Sequence, residues 1–232
     1  MESPTQPTTS IRVTPRHDGD PAPDLLGITL AHRAMITDVG RVAELTEEIA
    51  DGRILCAPNR AQALARYVDL LCDSIHHHHR LEDQVLWPVI KASAGSNVDL
   101  TKLTEDHTAL DPRLDGIRAL ANSFRQSGGH NIAAIPLKAA LQELHTMLRD
   151  HIADEERELF PVIRRHVAVA NWAMVEKAAQ RGGRLSFDGP RTLAVMTDDE
   201  RAALTDEVSP VLLALIKLMA LRHRRFERRV FG

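Results

Sequence analysis

The sequence predicts an all-α fold: an up-down antiparallel four-helix bundle followed by additional C-terminal helices. Three observations predict it. Apolar residues recur at the helical period through residues 24–168, while alternating β patterns are nearly absent. The periodic segments are long and joined by short polar connections, as antiparallel helical neighbours require. The second half of this region also repeats the plan of the first.

Residues 1–23 are rich in Pro, Thr and Asp without periodicity and are expected to form a disordered arm. The bundle is expected over residues 24–168. Its first helix runs from about Asp24 to Asp51, aligning Leu25, Ile28, His32, Met35, Val39, Val42 and Ile49, and Gly52 closes it. The second follows "CAPNR" and stops before "SAGSN", with Leu64, Tyr67, Leu71, Ile75, His78, Glu82, Val85 and Val89 inward. The third, from about Asp99 to Phe124, carries Leu103, His107, Leu114 and Ile117 and ends at "SGGHN". The fourth, from about Asn131 to His166, aligns Leu141, Leu144, Leu148, His151, Glu155, Leu159 and Val162.

Residues 169–232 are expected to form a C-terminal helical extension. One helix begins at "TDDE", where Thr197 at the N-cap and Glu200 at N3 make a capping box. Another begins at Ser209-Pro210, an N-cap followed by proline at N1.

Composition narrows the function. The chain of 232 residues is 44% hydrophobic and 26% charged, with a net charge of -3. That balance gives no reason to expect nucleic-acid binding, and 3% aromatics leave too few rings for a base-stacking platform. Cys56 and Cys72 form neither a CxxC pair nor a disulfide framework, which fits a reducing compartment. "MESPTQPTTS" lacks a signal peptide's apolar core. The longest apolar run, Val211 to Leu221, is interrupted by Lys217 and too short to span a bilayer. A cytoplasmic protein without a transmembrane segment is expected.

Twelve histidines stand out, four of them consecutive at 76–79. A tag scar would have no echo elsewhere, but "HHRLEDQVLWPVIK" (78–91) is echoed by "HIADEERELFPVIR" (151–164). Both begin with His, place Glu four residues on and an acid next, then Leu, an aromatic, Pro, Val, Ile and a base. "AHRAM" around His32 matches "DHTAL" around His107 more faintly. The chain therefore reads as two helical hairpins, each with a lone His on its first helix and HxxxE on its second. Positions i and i+4 share a helix face, so His78 pairs with Glu82 and His151 with Glu155. In that register His76, His77 and His79 are expected to turn away.

A buried carboxylate without a partner is costly, and two meeting in one core call for a cation. Imidazole and carboxylate together suit iron, manganese or zinc rather than calcium, and facing helices of a bundle are a common place for two-metal sites. The pattern H…HxxxE…H…HxxxE, with "LWP" and "LFP" after the acids, resembles the hemerythrin-like (HHE cation-binding) family over about residues 24–168. The resemblance implies two Fe ions in an oxo- or hydroxo-bridged non-haem centre. His32 and His78 would hold one iron, His107 and His151 the other, and Glu82 and Glu155 would bridge them. Oxygen-carrying hemerythrins have a second His four residues after the third-helix ligand, where this chain has Asp111, followed by Pro112. Asp111 is a candidate ligand, an acceptor behind one, or a residue beside a helix kink.

Open positions on such irons would take O2, peroxide or NO. The expected function is binding or reaction of one of these, with peroxide decomposition as a candidate activity and no catalytic side chain assigned. The alternative is a non-enzymatic iron or oxygen sensor acting through its C-terminal helices. A ferritin-like oxidase would want ExxH, which is absent. Arg222, Arg224, Arg225, Arg228 and Arg229 crowd the last helix. Two accounts fit them: a solvated end on a helix whose apolar part packs on the bundle or in a homodimer, or a docking tail for an acidic protein partner, a membrane surface or a second chain.

Overall fold

The structure, a computed structural model, describes residues 12–95, 98–207 and 210–232; the side chains of 204–217 lie outside that description. Its helices are α1 (Leu26–Ala50), α2 (Pro58–Leu81), α3 (Trp87–Ala94), α4 (Thr101–Gln126), α5 (Asn131–His166), α6 (Val169–Gly182), α7 (Leu185–Ala194), α8 (Asp198–Glu207) and α9 (Pro210–Val230). A π-helical turn, Glu82–Leu86, joins α2 to α3 into one rod. Among the described residues there is no strand. The expected bundle is α1, the α2–α3 rod, α4 and α5, with α1 packed on α5, α2 on α4 and α4 on α5.

Local chemistry sets the helix ends. Gly52 after α1 takes φ +71°, a conformation that costs glycine little. In the turn after α4, Gly129 combines φ +91° with an approach to the Cys56 carbonyl where a Cβ would sit 2.5 Å from the oxygen. Pro58 occupies the first turn of α2, where its missing N–H costs nothing. The expected capping box forms at α8, Thr197 Oγ1 accepting from Glu200 N–H at 3.2 Å and Glu200 accepting from Thr197 N–H at 2.8 Å. Ser209, expected to cap α9, lies outside the described residues, as do residues 1–11 of the arm. Residues 12–25 carry no helix, and Thr14 exchanges backbone hydrogen bonds with the Asn171 side chain of α6 at 2.8 and 2.9 Å.

Proline bears on two of the bundle helices. Pro112 lies inside α4 without ending it. The carbonyl it leaves free is that of Thr108, and both residues are on the exposed face, where water can replace the lost bond. The rod instead departs from α geometry at Glu82–Leu86, where Trp87 N–H bonds Glu82 O across five residues. Pro88 follows directly and has no N–H for the next bond, so the wider turn accommodates it. The extra residue rotates the following stripe, which brings Leu86 to the core and leaves Val85 half-buried.

The core divides in two. One apolar cluster holds Met35, Ile75, Leu110 and Leu148, and the other holds Leu86, Leu103, Leu159 and Ile163. Between them, at the same height on four helices, lie the histidines and glutamates of the repeat.

The extension packs on the first hairpin. α6 crosses α2 and the π turn, α7 lies on α1, and α9 runs beside α2. Tyr67 is the hub, its ring 5.3 Å from Phe187, 5.7 Å from Phe226 and 5.3 Å from Phe231. Arg191 of α7 is buried against Asp38 of α1 and donates to Ser74 Oγ of α2 at 3.1 Å and to Asp188 at 3.0 Å. The five arginines of α9 are all exposed, while His223, Phe226 and Val230 face the bundle. This agrees with a packed helix carrying a solvated basic end; the apolar stretch before Leu218 lies outside the described side chains.

Removing Arg191 leaves the buried Asp38 carboxylate with only the half-exposed Arg41, 3.2 Å away, as counter-charge. Arg191→Ala should therefore cost about 3–5 kcal/mol of stability in urea unfolding. The double replacement Asp38→Leu with Arg191→Met should cost clearly less than Arg191→Ala alone.

Candidate metal centre

Each bundle helix sends inward what the repeat supplies: His32 from α1, His78 and Glu82 from the α2 rod, His107 from α4, His151 and Glu155 from α5. The six converge. His32 Nε2 lies 3.0 Å from His78 Nε2, and His107 Nε2 lies 3.1 Å from His151 Nε2. Glu82 stands between these pairs with its oxygens divided. Oε1 is 2.9 Å from His78 Nε2 and 4.0 Å from His32 Nε2, while Oε2 is 3.4 Å from His107 Nε2. Glu155 Oε2 is 3.5 Å from His32 Nε2.

These spacings also suit ligands grouped around an ion. A first-row ion about 2.1 Å from each donor sets neighbouring donors about 3 Å apart and opposite ones about 4 Å apart. Both carboxylates are fully buried, yet none of their four oxygens accepts a hydrogen bond in proper alignment. Two overlapping donor groups result: His32, His78, Glu82 and Glu155, and His79, Glu82, His107 and His151, the donor atoms of each lying within 4.8 Å of one another. Glu82 belongs to both.

A ring of carboxylates outside the cluster fixes the imidazoles. His32 Nδ1 faces Glu156 at 2.8 Å, His107 Nδ1 faces Asp83 at 3.0 Å, and His151 Nδ1 faces Asp106 at 3.4 Å. An Nδ1 held this way fixes the ring with Nε2 aimed inward. Glu156 and Asp83 are the acids that follow Glu155 and Glu82 in the repeat, and each serves the lone histidine of the other hairpin. The aromatics of "LWP" and "LFP" cross over too: Trp87 lies parallel to His107 at 5.9 Å and Phe160 parallel to His32 at 6.2 Å. The acid and the aromatic were visible as repeated letters; their partners needed the fold.

Burial and charged neighbours compete in setting the protonation chemistry. It lowers His78, His79 and His151 below the usual histidine range, so those rings are neutral and able to ligate. Burial and the neighbouring Glu82 carboxylate raise Glu155 well above the usual range. For Glu82 burial would act the same way, but His78 and His32 hold it well below. For His32 burial would lower the ring, but Glu155, Glu156 and Glu82 raise it to about 10.

The other histidines of the run divide differently from the expectation. His76 is half-buried and meets Asp111 at 3.1 Å, and Asp111, 50% exposed, stands apart from both donor groups. His77 is half-buried with Nε2 3.3 Å from the Ala179 carbonyl of α6. His79, expected to turn away, is buried and belongs to the second donor group. The physical reason is that i+3 shares the face with i+4: both His78 and His79 lie one turn before Glu82.

The profile of the hemerythrin HHE cation binding domain matches residues 27–163, more than half of the chain. The chain belongs to the hemerythrin HHE cation-binding family. Among curated proteins it is similar to the iron-sulfur cluster repair protein YtfE of Edwardsiella ictaluri, 25% identical over 132 residues, which is 56% of this chain and 58% of that protein. The same-named proteins of Dickeya chrysanthemi and Yersinia pseudotuberculosis are each 24% identical over the same shares. The chain thus spans little more than half the length of these relatives. No solved structure matches it. All six residues of the repeat pattern fall inside the matched segment, and α6 to α9 fall outside it.

The divided oxygens of Glu82 generate a prediction. Glu82→Gln should empty both donor groups, whereas Glu155→Gln should weaken only the His32–His78 group, and His76→Ala should change nothing. Metal analysis after loading and gel filtration reads all three.

Proposed function

We propose that this protein is a non-haem di-iron protein whose centre binds or reacts with a small ligand of the O2, peroxide or NO class, peroxide decomposition being the activity to assay first. Glu82 carries the reading: a buried carboxylate with one oxygen toward each histidine pair is built to join two ions. His32, His78 and Glu155 would hold one iron, His107 and His151 the other, and Glu82 both. A bridged pair of irons, when bound, supplies one-electron redox chemistry and open positions for such a ligand.

The chain's own residues do the rest. Glu156, Asp83 and Asp106 fix the ring orientation of three imidazoles. Trp87 and Phe160 cover His107 and His32 and keep water off those faces. A cavity of about 290 Å³ between α1, the π turn and α6 reaches His78 and Glu82 past Ile28, Ala31, Val175 and Ala179. That size and mainly apolar approach suit a diatomic or a peroxide. The larger surface groove, about 1130 Å³, lies among Arg66, Arg118, Arg125 and Arg228, away from the centre.

One observation favours the second reading, a non-enzymatic iron or oxygen sensor acting through its C-terminal helices. α6 forms a wall of the cavity, and Arg191 of α7 grips Asp38 and Ser74 about one to two helical turns from His32 and His78. The likeness to proteins named for iron-sulfur cluster repair makes iron-sulfur proteins the partner class to test. No helix among the described residues is long and apolar enough to cross a membrane.

Iron-loaded protein should carry about two irons per chain and decompose peroxide faster than His151→Ala. Uptake of O2 or NO without peroxide turnover would favour the sensor, and one zinc with no iron would contradict both readings. Chelation should lower the melting temperature, because bound metal stabilises by about 2.7 kcal/mol at a hundredfold excess over its dissociation constant. Ala179→Phe, which narrows the cavity, should slow NO association in stopped-flow at unchanged iron content.

A further inference from the structure

His79 is 2% exposed, and neither of its ring nitrogens has a hydrogen-bond partner. That distinguishes it from His107 and His151, each of which has a carboxylate behind it. Its ring lies parallel to His107 with centroids 4.3 Å apart and edge-on to His151 at 5.4 Å. Packing alone does not account for a histidine here. A leucine or phenylalanine would fill the space without burying two unpaired polar atoms, which is costly. What the position offers is a donor atom within 4.8 Å of those of Glu82, His107 and His151. Asp111, the sequence's other candidate for this side, is exposed and engaged with His76.

Resting on the di-iron reading, we propose that His79 is a third imidazole ligand on the His107–His151 side. The two ions then differ. One is held by three imidazoles and a share of Glu82; the other by His32, His78, Glu155 and the rest of Glu82. The carboxylate-rich ion carries more ligand charge, which favours its higher oxidation state, and it is the one that the cavity beside His78 approaches. The imidazole comes from the rod that already supplies His78 and Glu82, so one helix serves both ions.

The test uses the full chain, His79→Leu, and His76→Ala as control, each loaded anaerobically with Fe2+. Wild type and His76→Ala should hold both ions alike. His79→Leu should release one ion to excess chelator at least about tenfold faster, with the other unchanged, since even residues behind metal ligands shift affinity by that much. Metal-free His79→Leu should melt as high as metal-free wild type or higher, while the rise on metal loading shrinks. A merely structural histidine would lower both states equally. A second measurement needs no variant: Co2+-loaded wild type should give a paramagnetically shifted imidazole N–H signal for each of His32, His78, His79, His107 and His151. Equal release and equal metal-induced stabilisation in His79→Leu, or the absence of a His79 signal, would overturn the proposal. Wild type that takes up no metal would overturn the di-iron reading together with it.

Discussion

Glu82 and Glu155 lie fully buried between two apolar clusters, and no aligned hydrogen-bond donor reaches either. Removing two carboxylates from water is among the largest costs a small core can carry, and it is offset only by positive charge or by protonation. The neighbouring imidazoles meet part of it. His32 is raised to about 10 beside Glu155, Glu156 and Glu82, while burial and Glu82 push Glu155 toward its neutral form. A cation between the histidine pairs would relieve the rest. The bundle above and below this layer is ordinary apolar packing, so metal binding and folding draw on the same free energy.

The duplicated sequence explains how the layer is supported. In each copy the HxxxE glutamate faces inward, while the next acid and the following aromatic serve the other copy's lone histidine. Asp83 and Trp87 hold His107; Glu156 and Phe160 hold His32. Each hairpin thus completes the other, and neither half of the site is finished within one repeat. The copies have also diverged. Only the first contains the π turn, only the first adds His79, and only the second has an acid, Asp106, before its lone histidine. The symmetry is of plan, and the differences fall where the two metal sides would need to differ.

The sequence made the four bundle helices legible because their apolar stripes are long and in phase. HxxxE was legible because a carboxylate at a core position has no packing rationale. α6 and α7 did not emerge as separate helices. α7 carries Gly189 and Pro190, both helix breakers by propensity, and is held by the buried Arg191 ties rather than by its own preferences. His79 is hidden in the sequence because His78 already accounts for Glu82 at a four-residue spacing, while the three-residue spacing of His79 shares the same face. Pro112 lies within the expected third helix, on an exposed face where water reaches its orphaned carbonyl. The extension's packing on α1 and α2 depends on contacts more than a hundred residues apart, such as Arg191 with Asp38, which no local pattern encodes.

The central claim is that one carboxylate, Glu82, joins two metal ions. Its most direct test is the magnetic susceptibility of the oxidised, iron-loaded protein. Ferric ions joined through a shared bridge couple antiferromagnetically, so the account predicts a pair with little or no paramagnetism at low temperature. Two independent high-spin ferric ions, each with its full moment, would contradict it.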